Sequence, residues 1–342
     1  MDKDIISNKE LNIWEALVPL IVLIFLLAFN VFVFGDDSLG GSNQFVLLLG
    51  ASIAAVVGYF NKVSFKSMID KVADNFKSTT GAILILLMVG ALAGSWLLSG
   101  IIPAMIYYGL MILKPGIFLP ASVIICSIIS IATGSSWTTS ATVGIALIGI
   151  GKAIGIPMGV TAGAVISGAY FGDKMSPLSD TTNLASAMAG SELFDHIKYM
   201  SLTTVPSIVI TLIIFIIISL TQNTAGATET SELLISIKES FNVNPILFLV
   251  PAVVIYLIIK KTKPLIALFT GALLGAIFAL IFQGNVVASV AGSDSLGLIS
   301  GYKGVMTALT TDIAIVSNNP ALNDLFTSGG MGGMLGTIWL VL

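Results

Sequence analysis

Two carboxylates and a lysine stand in an otherwise apolar region, within the segment "YFGDKMSPLSDTTN" at 170–183. Asp173 and Asp180 are the only acidic residues between Asn75 and Ser191. A carboxylate at bilayer depth is costly unless it is paired or hydrated, so such residues are functional by default. The segment is therefore predicted to be a functional site. The alternative is a loop at the membrane surface, in which the charges are simply solvated.

The residues around the two acids offer oxygen ligands that suit a hard cation such as sodium. Transition metals prefer Cys or His, and the chain has one of each. Pro177 removes one helical hydrogen bond, and the carbonyl it frees can coordinate an ion. We predict a sodium site, with no transition metal and no cofactor, formed by Asp173, Ser176, Asp180, Thr181, Thr182 and Asn183. Lys174 is predicted to be the charge partner of one acid, and Gly172 and Pro177 to break the helix.

A second polar segment, "TGSSWTTSAT" at 133–142, lies in the same apolar region. The segment comprises Ser135, Ser136, Trp137, Thr138 and Thr139, and the hydroxyl groups of Ser135, Thr138 and Thr139 can supply a second set of ligands. The alternative is close packing of helices through small residues, which is common in membranes. The sequence leaves both interpretations open.

The composition indicates an all-α integral membrane protein. Of the 342 residues, 56% are hydrophobic and 10% are charged, whereas roughly a quarter of the residues in a soluble domain are charged. A net charge of −3 gives no reason to expect a nucleic-acid partner. Apolar runs of about 20 residues predict spanning helices, and they occupy 13–34, 43–60, 200–220, 245–260 and 264–282.

Three longer apolar stretches are interrupted midway and predict broken or re-entrant helices. The stretches are 80–113, 118–150 and 157–190, and their interruptions, rich in Gly, Ser, Thr or Pro, fall at 94–103, 133–140 and 172–180. Non-helical backbone at membrane depth survives only where it is buried in protein or lines a wet cavity. Interruptions of this kind are typical of the binding sites of transporters.

Lysine placement predicts the orientation in the cell membrane, because lysine-rich loops stay in the cytoplasm. The segment 61–79 holds four lysines with amphipathic spacing and is predicted to be a cytoplasmic connector on the membrane surface. The N-terminus is then cytoplasmic as well. The segment 221–244 holds one lysine and is predicted to be an extracytoplasmic loop.

A faint internal repeat relates "GALAGSWLL" at 90–98 to "GMLGTIWLV" at 333–341. It predicts one transporter domain over 1–342, with a first repeat at 13–220 and an inverted second repeat at 245–342. The second repeat lacks counterparts of the two polar segments, so we interpret the sequence as a piece of a longer protein. Inverted repeats around a charged site favour alternating access. A channel with re-entrant loops is the alternative.

An enzyme is disfavoured. An intramembrane aspartyl protease needs two carboxylates that share a proton from different helices, whereas Asp173 and Asp180 lie in one segment. A buried carboxylate in a transporter can hold either a proton or a sodium ion. Competition for one alternately exposed site is enough to couple the two flows.

The polar segments resemble the NhaC-type sodium/proton antiporters. The resemblance is carried by residues 134–190, which include "GDKMSPLSDTTN", by "ELFDHIKYMSLTTVPS" at 192–207 and by "TSGGMGGMLGTIW" at 327–339. It implies an inverted-repeat carrier that exchanges sodium for protons across a prokaryotic cell membrane, with the lipid bilayer as its surroundings and a homodimer as one option. It also implies an ion-site motif formed by Asp173, Ser176, Pro177, Asp180, Thr181 and Thr182.

Relatives with nearly the same motif exchange malate for lactate or carry amino acids, so these substrates are alternatives. All 15 basic residues here are lysine. The planar guanidinium that binds carboxylates bidentately is therefore missing. That favours simple sodium/proton exchange.

Overall fold

The computed structural model describes residues 12–112, 115–177, 179–221, 227–260, 262–317, 323 and 326–341. Most of these residues are helical. The helices of the first half are α1 (Ile13–Phe34), α2 (Ser42–Phe60), α3 (Phe65–Leu98), α4 (Ile101–Ile112), α5 (Phe118–Thr133), α6 (Ser136–Thr139), α7 (Ile145–Ala153), α8 (Met158–Met175) and α9 (Asp180–Ala189). The later helices are α10 (Leu193–Thr221), α11 (Ala227–Ser240), α12 (Leu249–Ile259), α13 (Pro264–Phe282), α14 (Gly284–Val290), α15 (Leu298–Thr310) and α16 (Leu335–Val341).

Shorter elements connect the helices. A π-helical turn joins α6 to α7, and 3-10 turns occur at Gly35–Gly40, Pro115–Ile117, Pro245–Phe248 and Gly332–Met334. Two short strands, β1 (Ile313–Ala314) and β2 (Thr327–Ser328), pair in antiparallel fashion, with Ile313 opposite Ser328.

Within the described part of the chain, five helices are long and apolar enough to cross a membrane: α1, α2, α3, α10 and α13. A sixth span results if Ser231–Ser240 and Pro245–Ile258, which meet at an 85° bend, count as one. Large apolar side chains are exposed along α1 and α10, as expected for surfaces that face lipid. The predicted all-α, multi-pass membrane protein with bent helices is therefore confirmed.

Helix bounds follow the apolar runs in the sequence. The runs 13–34 and 264–282 coincide with α1 and α13, and 43–60 and 200–220 lie within α2 and α10. The run 245–260 is a 3-10 turn followed by α12.

The predicted connector at 61–79 runs directly into the following helix. Helix α3 begins at Phe65 and continues to Leu98 without interruption. Its polar residues are satisfied within the helix, since the Thr80 hydroxyl donates to the Phe76 carbonyl at 2.9 Å. The segment 221–244 contains helix α11, so it is not an irregular loop. The side of the membrane on which each segment lies stays a prediction.

The chain forms two compact units. The first comprises residues up to Leu86 together with those from Met334 onward. In it α1 and α2 form a hairpin whose turn is held by buried polar groups. The Asn30 side-chain amide donates to Asn43 Oδ1 at 2.8 Å and to Ser42 Oγ at 2.9 Å.

The second unit, Leu87–Gly333, is built around α5 and α8, which run side by side in the same direction. Small residues permit their close approach. A Cβ atom at Gly168 would overlap the Val123 carbonyl, and one at Gly172 would lie 2.5 Å from the Ser127 carbonyl oxygen. Helix α10 packs against both α5 and α8, and α7 contacts both α4 and α8. Glycines thus bring the ends of α5 and α8 together.

Candidate ion site

Four residues separate the end of helix α8 from the start of α9. Helix α8 ends at Met175, and the next residue, Ser176, has extended backbone with φ −86° and ψ 127°. Pro177 follows in a turn, and α9 begins at Asp180. Ser176 and Ser179 are fully buried. These two serines of the non-helical segment are therefore covered by protein, as is required of non-helical backbone at membrane depth.

Asp173 lies in the last turn of α8, where its side chain contacts the second polar segment, 133–142. Its Oδ2 accepts a hydrogen bond from Ser136 Oγ at 2.9 Å. Helix α5 ends at Thr133, the capping residue Gly134 has left-handed backbone with φ 68°, and α6 begins at Ser136. Glycine adopts this conformation without steric cost. The reversal at Gly134 thus carries the Ser136 hydroxyl to the carboxylate.

The C-terminal ends of α5 and α8 lie next to each other at the site. Ser176 Oγ donates to the Ile131 carbonyl at 2.7 Å, and Ser130 Oγ donates to the Ala169 carbonyl at 2.5 Å. The C-terminus of a helix carries a partial negative charge from its unpaired carbonyl groups. Two such ends and the carboxylate of Asp173 therefore converge, and this arrangement attracts a cation.

Three oxygen atoms converge at the end of α8. The buried Thr182 hydroxyl donates to the Asp173 carbonyl at 3.2 Å and to the Lys174 carbonyl at 3.3 Å. Hydroxyl and carbonyl oxygens are the kind of ligand that a hard cation takes, so these three oxygens are candidate ligands.

The structure brings some of the predicted site residues together and separates others. Asp173, Ser136, Ser176 and Thr182 meet at the junction of α5 and α8. Trp137 is 51% exposed. The exposed Thr181 pairs with Ser179 at 2.8 Å, and the buried Thr139 donates to the Ser135 carbonyl at 2.9 Å, so these groups bond within their own segments.

The predicted charge partner, Lys174, is exposed, and the ion pair found within the described side chains is Lys71 with Asp74 at 3.8 Å. The side chains of Asp180, Asn183 and Thr138 lie outside the described part of the chain, although the backbone places Asp180 as the first residue of α9. These predicted roles stay predictions.

The prediction that Gly172 helps to break the helix was wrong, whereas Pro177 does lie in the interruption. Gly172 is buried inside α8, three residues before its end. Its lack of a side chain serves the close approach to α5, where a Cβ would also lie 2.5 Å from Ser130 Cβ. Gly172 is therefore a helix-packing residue and not part of the helix break.

Sequence reasoning missed Ser130, whose hydroxyl links α5 to α8. The signal was present, since Ser127 and Ser130 are three residues apart on one face of an apolar helix. On α8, Gly168 and Gly172 show the four-residue spacing of small residues that marks a helix interface in membranes.

Fold and site together define a polytopic α-helical membrane protein whose interrupted helices surround an oxygen-rich, carboxylate-containing junction. The sequence profile of the "Na+/H+ antiporter family" matches residues 168–342, just over half of the chain. The chain belongs to the Na+/H+ antiporter family.

Curated relatives carry several antiporter names. The chain is 37% identical to the Malate-2H(+)/Na(+)-lactate antiporter of Bacillus subtilis over 302 residues, which are 87% of this chain and 61% of that protein. It is 37% identical to the Na(+)/H(+) antiporter NhaC of Alkalihalophilus pseudofirmus, over 85% of this chain and 60% of that protein. It is 32% identical to the Arginine/ornithine antiporter ArcD of Halobacterium salinarum, over 99% of this chain and 66% of that protein. No solved structure matches the chain significantly. The chain thus spans about 60% of the length of the first two relatives.

Replacing Thr182 with valine should loosen the interruption between α8 and α9. The change keeps the shape of the side chain but leaves the Asp173 and Lys174 carbonyls without their hydroxyl donor. The loss of such a bond to a buried carbonyl costs about 1–2 kcal/mol, so amide hydrogen exchange across 173–182 should rise roughly tenfold. The matched control is Thr203→Val, because Thr203 is an exposed threonine of α10 whose hydroxyl donates within its own helix, to the Met200 carbonyl at 3.0 Å. Equal exchange in the two variants would contradict the assigned role of Thr182.

Proposed function

We propose that the protein exchanges sodium ions for protons across the cell membrane by alternating access. The observation that carries this proposal is the position of Asp173, whose carboxylate accepts a hydrogen bond from Ser136 where two helix C-termini meet. Membership in the Na+/H+ antiporter family supports it.

In this proposal the Asp173 carboxylate holds a sodium ion or a proton in turn. Ser136 orients the carboxylate, and the Thr182 hydroxyl with the carbonyls of Asp173 and Lys174 supplies neutral oxygen ligands. Oxygen ligands are what a hard monovalent cation prefers. Because one carboxylate cannot keep both ions, release of sodium accompanies binding of a proton, and the two flows are coupled.

The second acid, Asp180, is proposed to complete the site from the other side of the interruption. It is the first residue of α9, and the N-terminus of a helix stabilises a carboxylate. Asp173, in contrast, stands at a C-terminal helix end, where a cation is favoured. Ser176 is assigned to holding the interruption closed against α5, and Thr181 and Asn183 remain proposed ligands.

Exchange of organic acids coupled to sodium is the second candidate. The relative named for malate, lactate and sodium is as similar to this chain as the relative named for sodium and protons, at 37% identity each. The relative named for arginine and ornithine extends the range to amino acids. Substrate identity therefore requires direct measurement.

The test uses everted membrane vesicles that contain the protein and hold a preformed pH gradient. Addition of sodium should dissipate the gradient, and Asp173→Asn should abolish this response, because an amide cannot exchange a proton for sodium. The matched control is Asp195→Asn, an exposed aspartate in the first turn of α10.

Three outcomes distinguish the candidates. If the wild type dissipates the pH gradient only with malate and lactate, or with arginine and ornithine, and not with sodium alone, the protein exchanges organic substrates. Sodium flux without any proton movement would indicate a channel. An undiminished sodium response in Asp173→Asn would contradict the proposed site.

We propose the orientation separately, from the lysine-rich segment 61–79, which covers the turn after α2 and the start of α3, and from the sequence repeat. The N-terminus and Lys66 face the cytoplasm, and the 291–297 loop lies outside. Lys66→Cys and Ser295→Cys place single labels at exposed positions, while the native Cys126 is buried. A membrane-impermeant maleimide added to intact cells should label Ser295→Cys alone. Labelling of Lys66→Cys from outside would reverse the proposed topology.

A further inference from the structure

A buried glutamine lies where three helix junctions meet in the second unit. Gln283 separates α13 from α14 and is 3% exposed. A buried amide needs partners for its two N–H groups and its carbonyl oxygen. The contacts of this side chain therefore show what it holds in place.

The first junction that it holds is the bend between α11 and α12. Gln283 Nε2 donates to the Asn242 carbonyl at 3.0 Å, and Gln283 Oε1 accepts from the Asn242 N–H at 3.0 Å. The Asn242 side chain returns a bond to the Phe282 carbonyl at 3.4 Å. Both backbone groups of Asn242 are thus satisfied by one side chain, at the place where the chain turns by 85°.

The second junction is the break between α3 and α4. Gln283 Nε2 also donates to the Ser99 carbonyl at 3.3 Å. The next residue, Gly100, has left-handed backbone with φ 77°, and a Cβ atom there would overlap the Gln283 amide. Glycine at 100 is therefore required both by the backbone conformation and by the space that the glutamine fills.

Additional contacts fix the end of α3 on α13. The buried Trp96 donates from Nε1 to the Gly271 carbonyl at 3.1 Å, and Ser95 packs where a Cβ of Gly275 would be. Beyond the break, α4 packs on α7, and α7 packs on α8, which carries Asp173. A continuous set of packed helices thus connects the Gln283 junction to the ion site without placing Gln283 in it.

We infer that Gln283 is a positioning residue that fastens the α3–α4, α11–α12 and α13–α14 junctions to one another, so that these helices move as one body during transport. The transport part of this inference rests on the proposed function. The amide controls how fast access to the site changes, and it leaves the ion ligands unaltered. Loss of the amide should therefore lower the maximal rate of exchange and not the apparent affinity for sodium.

The test compares Gln283→Met with Gln44→Met. Methionine keeps the approximate volume and removes the amide in both variants. Gln44 is the matched control because it is also 3% exposed but donates one bond, to the Leu39 carbonyl at 3.0 Å, in the α1–α2 turn. Hydrogen exchange of the amides at 99–102 and 241–244 should rise at least about tenfold in Gln283→Met and stay unchanged in Gln44→Met. Gln283→Asn, whose amide is one methylene too short, should give the same pattern if the methionine variant does not fold.

Sodium-dependent exchange in vesicles supplies the second measurement. In Gln283→Met or Gln283→Asn the maximal rate should fall by about tenfold while the half-saturating sodium concentration is unchanged. Unaltered hydrogen exchange at both junctions would overturn the inference, and so would a raised half-saturating sodium concentration with a preserved maximal rate. If the wild type exchanges no sodium for protons, the proposed function fails, and the hydrogen-exchange result still decides whether Gln283 fastens the junctions.

Discussion

Backbone carbonyls that lose their helical partners must find others inside a membrane, because the hydrocarbon core contains no water to bind them. The second unit meets this requirement with buried side chains. The Ser176 hydroxyl bonds the Ile131 carbonyl, the Thr182 hydroxyl bonds two carbonyls at the end of α8, and the Gln283 amide bonds the Ser99 carbonyl. Each of these interruptions is therefore stabilised by a hydrogen bond from a buried side chain.

The proposed ion site depends on the close approach of α5 and α8. Gly168 and Gly172 remove the side chains that would separate the two helices. Their parallel course brings both C-terminal ends to the same level, where their partial negative charges add to that of Asp173. The left-handed turn at Gly134 then returns the chain so that Ser136 reaches the carboxylate. Packing, capping and electrostatics thus act together to bring the residues of the proposed cation site together from distant parts of the sequence.

The sequence predicts those features that depend on local composition. Apolar runs locate spans such as α1 and α13, and Gly, Ser and Pro mark the interruption that contains Pro177. Tertiary contacts are not predictable in this way. Several neighbouring hydroxyl groups could have reached Asp173. The conformation of Gly134 determines that the one that does so belongs to Ser136. Gly172 was misassigned and Gln283 was not identified, because the role of each depends on a partner in a different helix.

We propose that one carboxylate, that of Asp173, holds sodium or a proton in turn. Proton release from the purified protein, measured in weakly buffered detergent solution when sodium is added, tests this directly. The wild type should release protons as sodium binds, whereas Asp173→Asn should release none and Asp195→Asn should behave like the wild type. Sodium-induced proton release of the same size in Asp173→Asn would contradict the proposal.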